Sequence, residues 1–358
     1  MTELDLRESL ALHLDAVDVP SAPLGPVVGE GRRLRRRRRA WAASSVAVAL
    51  VAVAATGATL VSRDHGGHGT DAVGYASIGP LDLSHGARAY ANPGKELHLG
   101  GRTFPYGDLD YLDTDAVATS YGVVFFDHGR PMLLNADGEV RALVRGDVDP
   151  DFRATAKADS VHPWVAYATR RGITITVTVH DLAADQDVAS TTVDCPGCTD
   201  FAIDAFDEGV VYTRIDQLTR SWDVATGQGE TVYDGGGRVV DVRGGVMLYD
   251  GRPPADLGLT RVKAPGDATL TFDGKYILDR SSRLRSTDGG PDLVLDAGPT
   301  KGLGFWAIDS DGSVLVAAPD GAYPHYLVYD CEVPSGDCEQ LGPLVTTSGD
   351  PEFIGADG

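Results

Sequence analysis

Basic side chains are in short supply. Against 52 Asp and Glu the chain sets only 31 Lys and Arg, a formal net charge of −21. Phosphate is held by clustered cations, so this deficit argues against nucleic acid as a partner. Cysteine is scarce too, at four residues in 358, and no second His/Cys pair stands at zinc-ligand spacing. Nucleophile elbows of the G-x-S-x-G type, P-loops and H-E-x-x-H helices are all missing. Beyond residue 75 there is no sustained helical periodicity. What the chain does have is 42% hydrophobic residues and 44 glycines, enough to fold and too apolar for wholesale disorder.

The charge is unevenly placed. Residues 1–39 carry eight Arg and six acids, residues 40–62 carry no charge, and residues 63–358 hold 23 basic and 46 acidic side chains, net −23. The uncharged run AWAASSVAVALVAVAATGATLVS has 23 residues. At about 1.5 Å rise per residue it would reach roughly 34 Å as a helix, enough for a hydrocarbon core of about 30 Å. Arg32, Arg33, Arg35, Arg36, Arg37, Arg38 and Arg39 abut its N-terminal end, and Trp41 sits at the same boundary. That arrangement predicts a single-pass helix over 40–62, with residues 1–39 in the cytoplasm and the arginines against anionic lipid. A cleaved signal peptide is the rival reading, but it calls for a shorter basic region and an apolar stretch of about 7–15 residues.

Within the tail, Leu6, Leu10, Leu14 and Val17 form a weak helical stripe, and Pro20, Pro23 and Pro26 mark a tether. After the apolar run comes a polar linker, 63–74, containing His65 and His68. Two His without a rigid frame make a poor metal site.

From residue 75 to 358 the pattern is short apolar strands of 4–8 residues between Gly, Asp and Pro turns. Lining up the turns reveals units at 116–143, 152–193, 200–235, 268–298 and 304–344, with a shorter one at 238–264. Each reads as four antiparallel strands, which is the signature of a propeller blade. One small sheet cannot bury both its faces, whereas radially stacked sheets bury them against each other. KELHLGG and RTFPYG (95–107) read as a hairpin, and PEFIGA (351–356) reads as a first strand. Joining both chain regions in one blade would remove free edges. The expectation is an all-β propeller of six or seven blades, with seven favoured.

The segments LTFDGKYIL (270–278) and SWDVATG (221–227) resemble the blade turns of WD-repeat-like and TolB-like propellers, above all the membrane-anchored kind common in actinobacteria. The resemblance implies an architecture and leaves the activity open. The tryptophan-rich repeats of quinoprotein propellers are absent, with Trp164, Trp222 and Trp306 the only tryptophans in the body. Ser286, Asp288 and Gly290 loosely resemble a sialidase Asp-box turn without its tryptophan.

The cysteines come as two close pairs, and both are expected to be disulfides outside the cytoplasm. Cys331 and Cys338 flank a hairpin, and Cys195 and Cys198 enclose a Pro-Gly turn. Redox chemistry at Cys195 and Cys198 would require a helix to follow, and strand-like sequence follows instead. Acidic groups recur at Asp108, Asp110, Asp113 and Asp115, at Asp147, Asp149 and Asp151, and at Asp309 and Asp311. Turn chemistry is the better reading of these groups, and the first cluster is the place to test for calcium. His162 and His180 stand in one unit and His325 in another, none with a nucleophile at a recognisable spacing. No catalytic or cofactor-binding residue is assigned.

The functional expectation is a membrane-anchored extracytoplasmic binding or scaffold module for a protein or carbohydrate. Two alternatives stand beside it: an enzyme on an extracellular carbohydrate or peptide with its site in the propeller channel, and signalling through the 1–39 tail to a cytoplasmic regulator such as a sigma factor.

Overall fold

Turn chemistry divides the chain into hairpins, and the hairpins assemble into seven small sheets. The structure is a computed structural model. It describes residues 75–358 apart from 93–95, 106–107, 110–111, 113–115, 153–155, 199, 267, 280–282, 298–304, 322–323, 347–350 and 356–358. The arginine run, Trp41, the apolar segment 40–62, His65, His68, Asp110, Asp113 and Asp115 therefore lie outside the described residues.

Strands β1 (Tyr90–Asn92), β2 (Glu96–Leu99) and β3 (Arg102–Pro105) open the domain. Blade 1 follows as β4 (Val117–Thr119), β5 (Gly122–Asp127), β6 (Arg130–Asn135) and β7 (Val140–Ala142). Blade 2 comprises β8 (Lys157–Ala158), β9 (Trp164–Arg171), β10 (Thr174–Asp181) and β11 (Gln186–Asp194). In blade 3 the strands are β12 (Phe201–Asp207), β13 (Val210–Ile215), β14 (Leu218–Asp223) and β15 (Gly229–Asp234). Blade 4 has β16 (Gly237–Arg243), β17 (Val246–Gly251) and β18 (Thr260–Lys263). Blade 5 is built from β19 (Thr269–Leu270), β20 (Tyr276–Leu278), β21 (Arg283–Ser286) and β22 (Leu293–Val294). Blade 6 uses β23 (Phe305–Ile308), β24 (Val314–Pro319), β25 (His325–Cys331) and β26 (Cys338–Val345).

The seventh sheet has the order β27-β1-β2-β3, where β27 is Glu352–Phe353. Tyr90 pairs antiparallel with Phe353, and the Ile354 N–H donates to the Ala89 carbonyl. The blade shared by both ends of the domain and the count of seven both match the expectation. No helix occurs among the described residues.

Seven apolar clusters fill the seven junctions between neighbouring blades. Val124 and Leu133 of blade 1, for example, pack on Val165 and Tyr167 of blade 2, and Leu248 of blade 4 packs on Leu270 and Ile277 of blade 5. Tyr90 of the shared blade meets Ala317 and Val328 of blade 6. Middle strands are covered on both faces, which is why β24 reads VLVAAP rather than alternating. Each fully buried Val or Leu contributes about 1.5–3 kcal/mol, so these junctions carry the stability that no single sheet could provide.

Blade 4 departs from the four-antiparallel-strand expectation. Among its described residues there are three strands, and β18 runs parallel to β17, with Val246 opposite Thr260 and Tyr249 opposite Lys263. Pro253 and Pro254 follow β17 after one residue, Arg252. Proline cannot donate to a ladder, so the chain does not fold back as a hairpin. It crosses to the start of β17, where the Thr260 N–H meets the Gly245 carbonyl.

Candidate functional site

In four of the seven blades a carboxylate at or just after the first strand reaches into the next blade. Asp159, just past β8, accepts from the Val161 and His162 N–H groups and, at 2.7 Å, from the Gly209 N–H of blade 3. Asp207 at the end of β12 accepts from the Ser160 hydroxyl and from the Gly244 N–H of blade 4. Asp241 on β16 accepts from the Thr269 hydroxyl and the Leu270 N–H of blade 5. Asp309 after β23 accepts from the Ala87 and Arg88 N–H groups at 2.9 and 2.8 Å, on the segment that leads into the shared blade. All four are buried. Burial pushes Asp207 up to about 6 and Asp309 up to about 7.

Arg243 joins these turns from the centre. Its side chain is 1% exposed, and Nη1 donates to the carbonyls of Ala158 (2.9 Å) and Phe206 (3.1 Å), in blades 2 and 3. Nε lies 3.6 Å from an Asp241 oxygen, and the guanidinium sits 5.2 Å above the ring of Phe272 from blade 5. Phe272 in turn packs against the cores of blades 1 and 2. A small pocket of about 30 Å³ remains, lined by Thr119, Tyr121, Asp159, His162, Phe272 and Ser310 among others. That is room for about one water. The convergent charges here are engaged with backbone groups, two hydroxyls and one another, and tie blades together.

A larger opening lies at the seam between blade 6 and the shared blade. This cleft of about 420 Å³ is lined by Arg88, Tyr90, His98, Arg102, Thr103 and Glu339, together with Gly101 and residues 340–343. Arg88 is fixed by the buried Asp330, which accepts from Nε at 2.9 Å, and by Glu339 at 2.7 Å. The Tyr90 and His98 rings stack at 4.4 Å with 10° between their planes. Burial raises the Tyr90 hydroxyl to about 12, so it stays a phenol. Thr103 Oγ1 lies 3.1 Å from His98 Nδ1. Arg102 donates through Nη1 to the carbonyls of Ile78 and Pro80 and lies 4.9 Å over the Phe104 ring. The cleft exists only because strands from the two ends of the domain meet.

The residues singled out in the sequence fall elsewhere. Cys331 and Cys338 face each other across β25 and β26 and are disulfide-bonded. Cys195 and Cys198 are bonded in the loop between β11 and β12. Asp149 serves a turn, accepting from the Asp151 N–H and from Arg170. Asp108 is exposed, and among the described residues no group of three or more His, Cys, Asp or Glu is placed to hold a metal. His162 stacks on Trp164 and His180 lies between Asp185 and Asp187, both in blade 2, whereas His325 opens β25 of blade 6. Ser286, Asp288 and Gly290 close a turn on themselves. Asp309, read in the sequence as turn chemistry, also performs the inter-blade task, and nothing in its neighbourhood signals that.

No known family model and no curated protein sequence matches the chain. Among solved structures it is similar to TolB from Acinetobacter baumannii, at 14% identity and a TM-score of 0.35, over 63% of this chain and 62% of that one. The match thus spans less than two thirds of the TolB chain. An uncharacterised Listeria monocytogenes protein is similar at 10% identity and a TM-score of 0.31, over 72% of this chain and 67% of that one. The WD40 repeats of RRP9 are similar at 11% identity and a TM-score of 0.27, over 64% and 66%.

Proposed function

We propose that this chain is a membrane-anchored protein whose propeller lies outside the cytoplasm and works as a binding module, taking its ligand at the seam cleft. The anchor rests on the uncharged run 40–62 and the seven arginines beside it, and two disulfides suit an oxidising compartment. The observation that carries the binding role is the contrast between the two openings. At the ring centre the carboxylates and Arg243 are consumed by backbone partners, whereas the seam cleft offers about 420 Å³ lined by polar and aromatic side chains.

The test uses the full chain. Alkaline extraction should leave it in the membrane fraction, and a soluble species beginning near residue 60 would overturn the anchor. A screen of sugars, organic acids and peptides by thermal shift should find a ligand whose effect is lost in Thr103→Trp, which fills the cleft. A ligand that binds Thr103→Trp as well as it binds the natural chain would overturn the site.

A further inference from the structure

We propose that the outer edge of blade 2 is a strand-addition site, where an extended basic segment of a partner protein pairs with β11. The site is independent of the seam cleft and would stand if the cleft bound nothing.

The outermost strand of a blade leaves one row of backbone groups unpaired, and folded proteins blunt such edges with short strands, charge or proline. The other blades of this ring do so. β3, β7, β18 and β22 are short, with Pro105 closing β3 and Arg261 and Lys263 on β18. β15 carries Glu230, and β26 carries Pro343. β11 is the exception. It runs for 9 residues, and from Val188 to Val193 it holds no charge, no proline and no glycine. Most of it is exposed, and among the described residues only β10 pairs with it.

The ladder to β10 fixes which groups point outwards. The Cys195 N–H donates to the Ile173 carbonyl. Val193, Thr191 and Ala189 follow at two-residue steps and also turn their backbone groups towards β10. Ser190, Thr192 and Asp194 therefore present their N–H and C=O groups to solvent. A bulge at Val188 ends this regular run. Exposed apolar side chains flank it at both ends, Val188 at 39% and Ile173, beside Cys195, at 56%.

The side chains say what fits. Ala189 and Val193 lean on the apolar junction with blade 3, so β-branched residues suit the positions opposite them. On the other face Asp194 accepts from the Thr174 hydroxyl and has no cation within ion-pair distance among the described residues. A Lys or Arg placed opposite Asp194 supplies one. Main-chain bonds then give affinity and these side-chain pairs give choice. A second copy fits less well, because two domains of net −23 repel each other.

The experiment is fluorescence anisotropy of the labelled peptide KVTVTVK with the full chain in a non-ionic detergent, and EVTVTVE as the control. As a strand, KVTVTVK sets Val on one face and Lys with Thr on the other, and it reads the same in both directions. It should bind, and EVTVTVE should bind several-fold more weakly. Thr192→Pro deletes an outward N–H and leaves the bonds to β10 in place. It should weaken KVTVTVK by about tenfold or more while the melting temperature holds. Asp194→Lys, an exposed change, should shrink the preference for KVTVTVK over EVTVTVE, and it decides alone if Thr192→Pro does not fold. Thr103→Trp, in the cleft, should change neither peptide. Unchanged affinity in a folded Thr192→Pro, unchanged preference in Asp194→Lys, or no binding of KVTVTVK would each overturn the site. Equal binding of the two peptides would overturn the basic partner. A dimer in sedimentation that Thr192→Pro dissociates would overturn it too, giving the edge to a second copy.

Discussion

The Asp309 carboxylate accepts the backbone N–H of Arg88, 221 residues away in sequence, at 2.8 Å. The same carboxylate takes the N–H of Ala87 at 2.9 Å. Blade 6 therefore grips the segment that carries Arg88 into the seam cleft, and one side chain contributes to both ring closure and cleft geometry.

Removing that grip should be costly. Asp309→Ala leaves the Arg88 N–H without its acceptor and the Ala87 N–H with only the Ser310 hydroxyl, and should lower unfolding free energy by about 2 kcal/mol in urea titration. Gly86→Ala should act on the same contact from the other side. Gly86 has φ +82°, and an added Cβ would stand 2.2 Å from an Asp309 oxygen, so about 2 kcal/mol or more should be lost. A loss below about 0.5 kcal/mol in both variants would mean that the closure does not rest on this carboxylate.

Stability should fall as pH rises towards neutrality. Burial lifts Asp204 and Asp207 to about 6 and Asp309 to about 7, above the ordinary 3.8. Between about pH 4 and 7 the folded chain holds these protons and the unfolded chain does not, so each unit of rising pH costs stability. Asp149 and Asp223 run the other way: backbone N–H bonds lower them, and their contribution is lost as pH falls below 3.8. The melting temperature should therefore peak between about pH 4 and 6, and Asp309→Asn should flatten the neutral side of the curve.

Arg243 should resist replacement. Arg243→Met strips the Ala158 and Phe206 carbonyls of their donor and removes the cation beside Asp241. A loss of about 3–5 kcal/mol is expected, the range for breaking a buried charge cluster. Arg243→Lys should recover only part of it, because one ammonium cannot reach both carbonyls and lie flat over Phe272. Chemical denaturation of the three chains decides the order.

The two disulfides should each contribute modestly. Replacing Cys331 and Cys338 by Ala, or Cys195 and Cys198 by Ala, opens loops whose ends are 7 and 3 residues apart. Chain-entropy arguments give about 2 kcal/mol for loops this short. Either double variant should still fold and keep its ligand, since none of the four cysteines lines the cleft.

Blade boundaries were legible because each hairpin announces itself locally: the Asp223 turn, with Thr226 N–H and hydroxyl both donating to one carboxylate, is complete within four residues. The shared blade could be read because a lone strand-like PEFIGA needs a partner. The parallel β18 could not, since hydrophobic period is blind to strand direction. Nor could the inter-blade role of Asp309, whose partners lie more than 200 residues upstream. An arginine at position 243 looks like a surface charge until blades 2 and 3 bring carbonyls to it. The cleft was invisible for the same reason, because Arg88 and Glu339 are 251 residues apart.

Synthesis runs from β1 to β27, and that order has a consequence. Tyr90–Asn92 is made early, but its partner Glu352–Phe353 comes some 260 residues later. Until then the first blade made lacks a strand, and an unpaired edge is a template for association with another copy. Each growing chain meanwhile gains negative charge, reaching a net −23 over residues 63–358. Mutual repulsion keeps such chains apart during that interval. The acidic surface thereby protects an unfinished ring.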